Sequence, residues 1–401
     1  MTLLVRDEAD IISPMLEYHL ASGVDHILIT DNGSIDGTRE ILSSYEEDPR
    51  ISVVDDPIQD KNQTEKVTRM ARRAATDFNA DWVINADADE FFVPVDRRLT
   101  LGEVFRSMPL EIVSATVPVV DMTGLPGLSG VGLDRLVYRD QRPQDTLYER
   151  SGLYAHSTHD AIHVGDPAVV VAQGNHYVSL ASQGEIPDDL RIESLHFPWR
   201  SFEQFRIKVE NAGRAYEANR GVDPSPQHHG MRDYRFFRAG VLEESYIYRH
   251  PAEAEFGNAD LPMDNWLRLR LEEILSAGSA VHSDLLRTAM NRPGVPFSVN
   301  ALERARDLMP AVIRIDADRT AQATLLRQSA DRVGELQREV QAQKALLTAN
   351  EGELAVARSD RERAQRELER IRGRGYYRAA SAAARAFRAA KARFAIGPRS
   401  S

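Results

Sequence analysis

The order of apolar runs in the first 90 residues constrains the fold of this chain more than any other feature. Thr2 to Val5 is a short apolar run. Ile11, Ile12, Met15, Leu16, His19 and Leu20 follow at spacings of three and four, with Asp10 placed to cap a helix. His26 to Thr30 reads as a second strand, ending in the turn cluster Asp31-Asn32-Gly33-Ser34-Ile35-Asp36-Gly37, whose Asp36 is placed to cap a helix running through Tyr45. Ile51 to Val54 is a third strand, Val67, Met70, Ala71, Ala74 and Phe78 mark a further helix, and Asp81 to Ala86 is a fourth strand. This alternation predicts an α/β fold with a mainly parallel sheet flanked by helices on both faces.

In such sheets ligands gather at the carboxyl ends of the strands, where loops and helix N-termini converge. Asp31 closes the second strand and Asp87-Ala88-Asp89-Glu90 closes the fourth. Residues two apart in an extended segment point the same way, so Asp87 and Asp89 can address one ion or phosphate. Two carboxylates held this close repel unless a cation or proton intervenes, and hard oxygen ligands suit Mg²⁺ or Mn²⁺. Two solvated turn carboxylates are the competing reading. The apolar setting, Trp82-Val83-Ile84 before and Phe91-Phe92-Val93 after, opposes it, because charges are not placed there cheaply. A calcium loop at Asp31 to Gly37 is disfavoured because Gly33 and Ile35 stand where ligating side chains are required. The chain has no cysteine, which excludes disulfides, thiolate metal sites and a cysteine nucleophile. Lys66, Arg69 and Arg73 share a helical face before the fourth strand, either to assist phosphates or as an exposed basic face.

These residues carry a resemblance. Val5-Arg6-Asp7-Glu8, Gly23-Val24-Asp25-His26-Ile27, Asp31-Asn32-Gly33-Ser34-Ile35-Asp36-Gly37-Thr38 and Trp82-Val83-Ile84-Asn85-Ala86-Asp87-Ala88-Asp89-Glu90-Phe91 resemble family 2-type glycosyltransferases with the GT-A fold, in the branch whose motif reads Asp-x-Asp-Glu-Phe. The resemblance spans roughly the first 100 residues and thins toward about 215. It implies a nucleotide-sugar donor, a UDP-sugar first, held by Arg6, Glu8, Asp31, Asn32, Lys66, Asp87 and Arg200. Asp31 would lie near base and ribose, and Asp87 and Asp89 at the diphosphate, directly or through Mn²⁺ or Mg²⁺. Asn32 stands where the family often has a second aspartate. The implied reaction moves a sugar, with inversion, to a hydroxyl of a glycan or lipid-linked acceptor such as a bacterial surface polysaccharide. An inverting enzyme needs a carboxylate base opposite the leaving group, and Asp145, Glu149 and Asp160 lie in a plausible stretch with His156, His159 and His163. No local pattern chooses among them.

His196-Phe197-Pro198-Trp199-Arg200-Ser201 is more informative. Ser201 with Gln204 reads as a capping box, and Phe202, Phe205, Val209 and Tyr216 form one face of the helix it opens. His196 resembles the late histidine that GT-A enzymes bring to the metal or diphosphate, with His176 its competitor and a packed structural histidine the plain reading. Arg200 can grip phosphate or carboxylate through its fork, or stand as a surface cation.

Past Ile315 the chain loses nearly all proline and aromatics. Leu326, Val333, Val340, Leu347 and Leu354 fall at sevens, Arg361 interrupts, and Leu368 resumes, with Leu336 and Ile371 in the d register. This predicts a weak coiled-coil seam, since the other d positions, Ser329, Gln343, Asn350, Ala357 and Ala364, are small or polar. Homo-oligomerisation through it competes with a helix folded back on its own domain. Residues Gly373 to Ser401 carry seven basic side chains and no acid, +7 in a chain of net charge −11, so the remainder is −18. The tail is either a basic amphipathic helix suited to an anionic membrane surface, with Tyr377, Ala384, Phe387 and Phe394 on one side, or a disordered segment. The acidic remainder argues against a nucleic-acid partner. No apolar stretch approaches the ~18 residues of a membrane span. Met1 to Asp10 lacks a basic-then-apolar leader, which predicts a cytoplasmic protein, peripheral to the inner face of the plasma membrane if the tail binds lipid.

The predicted organisation is a catalytic domain over 1–215, a mostly helical acceptor-side extension over 216–318, a coiled coil over 319–372 and the tail over 373–401. The rival functions are a phosphohydrolase with Asp87 as nucleophile and Asp89 as acid, and a non-catalytic scaffold of the same fold.

Overall fold

The computed structural model describes residues 1–57, 63–153, 155–181, 184–218, 228–292 and 294–394. Strand and helix alternate as the apolar runs predict: β1 (Thr2–Val5), α1 (Ile12–Ala21), β2 (Ile27–Asp31), α2 (Thr38–Tyr45), β3 (Ile51–Asp55), α3 (Gln63–Phe78) and β4 (Trp82–Ala86). There follow β5 (Glu90–Pro94), α4 (Leu101–Ser107), β6 (Ser114–Val117), β7 (Val119–Thr123), β8 (Gly127–Ser129), β9 (Tyr138–Arg139), α5 (Gln144–Ser151), β10 (Asp160–Val164) and β11 (Ile192–His196). The remainder is helical apart from β12 (Val295–Pro296): α6 (Phe202–Ala218), α7 (His229–Ala239), α8 (Leu242–Arg249), α9 (Trp266–Ser276), α10 (Ser283–Met290), α11 (Val299–Gly373) and α12 (Gly375–Phe394).

The main sheet has six strands in the order β3-β2-β1-β4-β10-β6. β3, β2, β1 and β4 run parallel, and β10 and β6 continue the sheet with antiparallel pairings. All of Ile27 to Asp31 is buried, as a central parallel strand covered on both faces requires. A second sheet, β5-β11-β7-β9, lies beyond the acidic motif.

Three local expectations change. Ile11, not Asp10, occupies the N-cap position of α1, without a side-chain cap bond, because the Asp10 carboxylate is taken by Arg200. Gly37, with φ of 103°, precedes α2, and Asp36 still serves the helix start by accepting from the Thr38 amide at 3.0 Å. Ser201 forms half of its box, accepting from the Gln204 amide at 3.2 Å, while the Gln204 side-chain amide finds no partner.

The segment expected to form a separate extension shares the cores of the N-terminal part. Leu267, Leu271 and Ile274 of α9 and Leu286 of α10 pack in the same core as Leu3, Met15 and Phe91. Phe205, Tyr246, Ala305 and Met309 form a second core among α6, α8 and α11. Met1–Thr320 is accordingly one compact unit, undivided near 215, and Ala321–Ser401 is another. Among the described residues no helix is long and apolar enough to cross a membrane.

The β4–β10 pair is clamped at its far end by Gly165, whose amide donates to Asp81 O at 3.0 Å. A Cβ on Gly165 would lie 1.9 Å from Ala80 O, a backbone atom that cannot step aside. Gly165→Ala should therefore lose about 1–3 kcal/mol, the usual range for overpacking, read as a lower urea midpoint at unchanged m-value.

Candidate functional site

Strand register explains why the acidic residues converge. Leu3 pairs with Ala86 and Val5 with Asp31, so Asp31 and Asp87 emerge at one edge of the sheet with β1 between them. β10 runs the other way, pairing Ile162 with Ile84, which brings its first residue, Asp160, to the same edge. In the second sheet Glu90 pairs with His196, and His196 with Asp121, setting these three in one row across β5, β11 and β7.

The centre of the site is a buried guanidinium. Arg200 is fully inaccessible, and it donates through Nε to Asp10 at 2.8 Å, through Nη1 to Asp89 at 3.0 Å and through Nη2 to Glu8. Lys208, on α6, donates to Glu8 Oε1 at 2.7 Å and Asp89 Oδ2 at 2.9 Å. Asp7 turns the chain after β1 at φ of 57°, a left-handed conformation that aspartate tolerates; its Oδ1 accepts from the Ile35 amide at 2.8 Å. This turn carries Glu8 toward Arg200. Burial opposes ionisation of Asp89, but Lys208 and Arg200 outweigh it and hold the carboxyl well below its ordinary range. Burial raises Glu8 to about 7 against the pull of the same two cations.

In the row beside it, His196 Nδ1 lies 2.8 Å from Asp121 Oδ1 and 3.1 Å from Ser157 Oγ, and Ser157 donates to Asp121 at 2.6 Å. Burial works against a charged imidazole, yet the Asp121 bond and the fields of Asp89, Asp121 and Glu90 lift His196 to about 9. The surrounding carboxylates thus favour the charged form of this imidazole.

On the other side of the motif, Asp87 is half-buried and accepts from Asn175 at 3.3 Å. Its backbone amide donates to Glu90 at 2.9 Å. Burial, then the charge of Asp89, raises Asp87; burial and Asp87 raise Glu90 well above its ordinary value and Asp160 to about 8. His176 stands 3.7 Å from Asp160, with its Nδ1 donating to His159 O at 3.0 Å.

The other sequence candidates divide. Asp31 is buried and anchors its own turn, accepting from the Ser34 hydroxyl and, at 3.2 Å, from the Ser34 amide. Asn32 donates to Asp56 O at 2.7 Å, and Lys66 and Arg69 lie 3.4 and 3.3 Å from the Asp56 carboxylate. Arg6 is half-buried beside Asp7. Arg73 pairs with Asp77 along the exposed side of α3, so the expected three-cation face is split. Arg200 is neither a surface cation nor open to a phosphate, since three carboxylates saturate it. Asp145 and Glu149 are exposed on α5, and of the three base candidates the cluster contains Asp160 alone. The sequence reading missed Lys208, Asp121, Asn175 and Ser157. Asp121 had a usable signal, a lone acid closing the apolar run Val117-Pro118-Val119-Val120.

Among the described residues no three His, Asp or Glu side chains are grouped to hold an ion. Asp89 Oδ2 already receives two cations, whereas Asp87 is an acid made reluctant to ionise by burial and a like charge. Such a donor set does not make a cage in which protein side chains alone surround an ion.

Arg200→Met should destabilise by about 3–5 kcal/mol at pH 7.5, because Glu8, Asp10 and Asp89 lose their shared counter-charge. Without Arg200, burial would hold Glu8 and Asp89 above their unfolded-state values, so the loss shrinks as pH falls and they protonate. Denaturant unfolding at pH 5 and 7.5 checks both sign and size.

Residues 2–119 match the sequence profile of glycosyltransferase family 92. Among solved structures, a crystal structure of S. aureus TarS 1–349 aligns over 80% of this chain and 90% of that one, at 12% identity and a TM-score of 0.25. No curated protein matches. The family 92 match takes in β1 to β6, with Asp31 and the Asp87–Glu90 motif, and supports a glycosyltransferase enzyme with a sugar-transfer role.

Proposed function

We propose that this protein transfers a glycosyl group, with inversion, from a nucleoside-diphosphate sugar, a UDP-sugar first, to a hydroxyl of a glycan or lipid-linked acceptor, on a GT-A-type domain. The observation that carries this reading is the convergence of Asp31, Asp87 and Asp89 on the carboxyl edge of a sheet inside the segment matched by a glycosyltransferase family. Breaking the bond between the anomeric carbon and the diphosphate leaves negative charge on the departing group. A Mg²⁺ or Mn²⁺ held by Asp87 and Asp89 would supply Lewis-acid stabilisation there.

The protein's own side chains complete the electrostatics. Arg200 is locked by carboxylates and fixes Asp89 in place. Lys208, about one-third exposed, is the cation able to turn from Glu8 and Asp89 toward a phosphate oxygen. His196, protonated and backed by Asp121, is a second fixed positive group.

The basic segment α12 exposes Tyr376 and Phe387 beside Arg378, Arg385 and Arg388, and in this reading holds the enzyme at the anionic inner face of a membrane. Residues 395–401 of the tail, and the side chains of Tyr377 and Phe394, lie outside those described. The full chain should co-sediment with vesicles containing anionic lipid at low salt and release at high salt; lack of binding to such vesicles removes the membrane from the proposal.

Asp87→Asn is a cleaner probe of catalysis than replacement of Asp89, which also holds Arg200 and Lys208. It should reduce diphosphate release from a UDP-, GDP- and dTDP-sugar panel on the order of 100- to 1000-fold while leaving the melting temperature nearly unchanged. Thermal stabilisation by one nucleoside diphosphate, stronger with Mn²⁺, should accompany activity. Turnover of simple phosphate esters in place of nucleotide sugars, or undiminished turnover by the variant, would overturn the assignment.

A further inference from the structure

The second unit carries an unpartnered apolar stripe. From Ala321 the helix α11 runs on without interruption to Gly373, and Leu326, Val333, Val340, Leu347, Leu354 and Leu368 leave 49–72% of their surface exposed. They stand at sevens, the a positions of a heptad frame, so they form one straight edge of a supercoiling helix.

The flanking charges say what covers that edge. With a at Leu326, the g positions include Glu339, Glu353 and Glu367, and the e positions include Lys344, Arg358 and Arg372. Between parallel helices in register, each g residue faces the e residue five positions further on in the other helix. Glu339 then meets Lys344 of the partner subunit, Glu353 meets Arg358 of the partner subunit, and Glu367 meets Arg372 of the partner subunit. All three pairs are opposite in sign. The remaining pairs of the frame, Arg332 with Gln337, Leu346 with Glu351 and Asp360 with Gln365, each contain at most one charge. Antiparallel helices instead set g against g and e against e. In the antiparallel register that sets Glu353 against its own copy, Glu339 would face Glu367, Lys344 would face Arg372 and Arg358 its own copy.

The core positions agree on strand number and register. β-branched Val333 and Val340 at a favour two strands, and Asn350 at d meets its own amide only when the two copies are aligned without slip. Arg361 at a opposes association, and the small d residues limit its strength. We propose that residues 326–372 form a parallel, in-register two-stranded coiled coil with a second copy of this chain. This inference stands apart from the catalytic reading and uses none of its residues.

The absence of cysteine makes the orientation directly measurable. Light scattering at micromolar concentration should give twice the chain mass for the full-length protein. Ser329→Cys, at a d position near one end, should form an intermolecular disulfide under mild oxidation, because parallel copies bring the two introduced thiols together. Antiparallel copies hold them tens of ångströms apart, at 1.5 Å per residue. A triple variant, Glu339→Lys, Glu353→Lys and Glu367→Lys, should raise its dimer Kd at least tenfold. So should the complementary triple, Lys344→Glu, Arg358→Glu and Arg372→Glu, and mixing the two should restore a dimer of one copy each. A monomeric full-length protein, including one whose seam is covered only on lipid vesicles, overturns the proposal. So does a dimer that fails to cross-link at 329, or one whose Kd ignores the charge reversals.

Discussion

A guanidinium with no contact with water is tolerable only where its donors are fully answered, and in this protein the carboxylates that answer it come from two separate stretches of chain. Glu8 and Asp10 follow β1, Asp89 follows β4, and Arg200 itself stands between β11 and α6. The acids could not be buried together without the arginine, nor the arginine without them. Lys208 adds a second cation from the next turns of α6. The acidic motif is thereby held by tertiary contacts on one side and by its strand on the other.

Around this anchor the site separates like from like. Asp89 and Asp121 each sit beside cations and are held ionised. For Asp87, Glu90 and Asp160 burial and neighbouring acids outweigh whatever positive charge is near, and all three are pushed toward the protonated form. The site thus holds carboxyls whose ionisation is favoured beside carboxyls whose ionisation is opposed, the condition under which one group can steady charge while another exchanges a proton.

The four parallel strands and the acids that close two of them are legible in the sequence because a strand buried on both faces is an unbroken apolar run, and a carboxylate ending it stands out. The partners of those acids are not. Asp10 has the local look of a helix cap, and a partner 190 positions away takes its carboxylate instead. Lys208 sits beside the apolar stripe of Phe205 and Val209, where a lysine usually only drapes its stem over the surface. The row of Glu90, His196 and Asp121 depends on how β5, β11 and β7 pair, and no local periodicity encodes that pairing. Asp145 and Glu149 were drawn in by their neighbourhood in sequence, which the fold turns toward solvent.

The span of the arginine anchor bears on how the chain matures. The segment resembling a known family ends at residue 119, yet the side chains that neutralise its buried acids lie at 200 and 208. During synthesis the N-terminal strands leave the ribosome long before Arg200 exists, so Glu8, Asp10 and Asp89 must stay hydrated until α6 is made. The nascent sheet therefore cannot close its acidic edge early, and a fragment cut at the boundary of the family match would carry the motif without the counter-ions that let it fold around it.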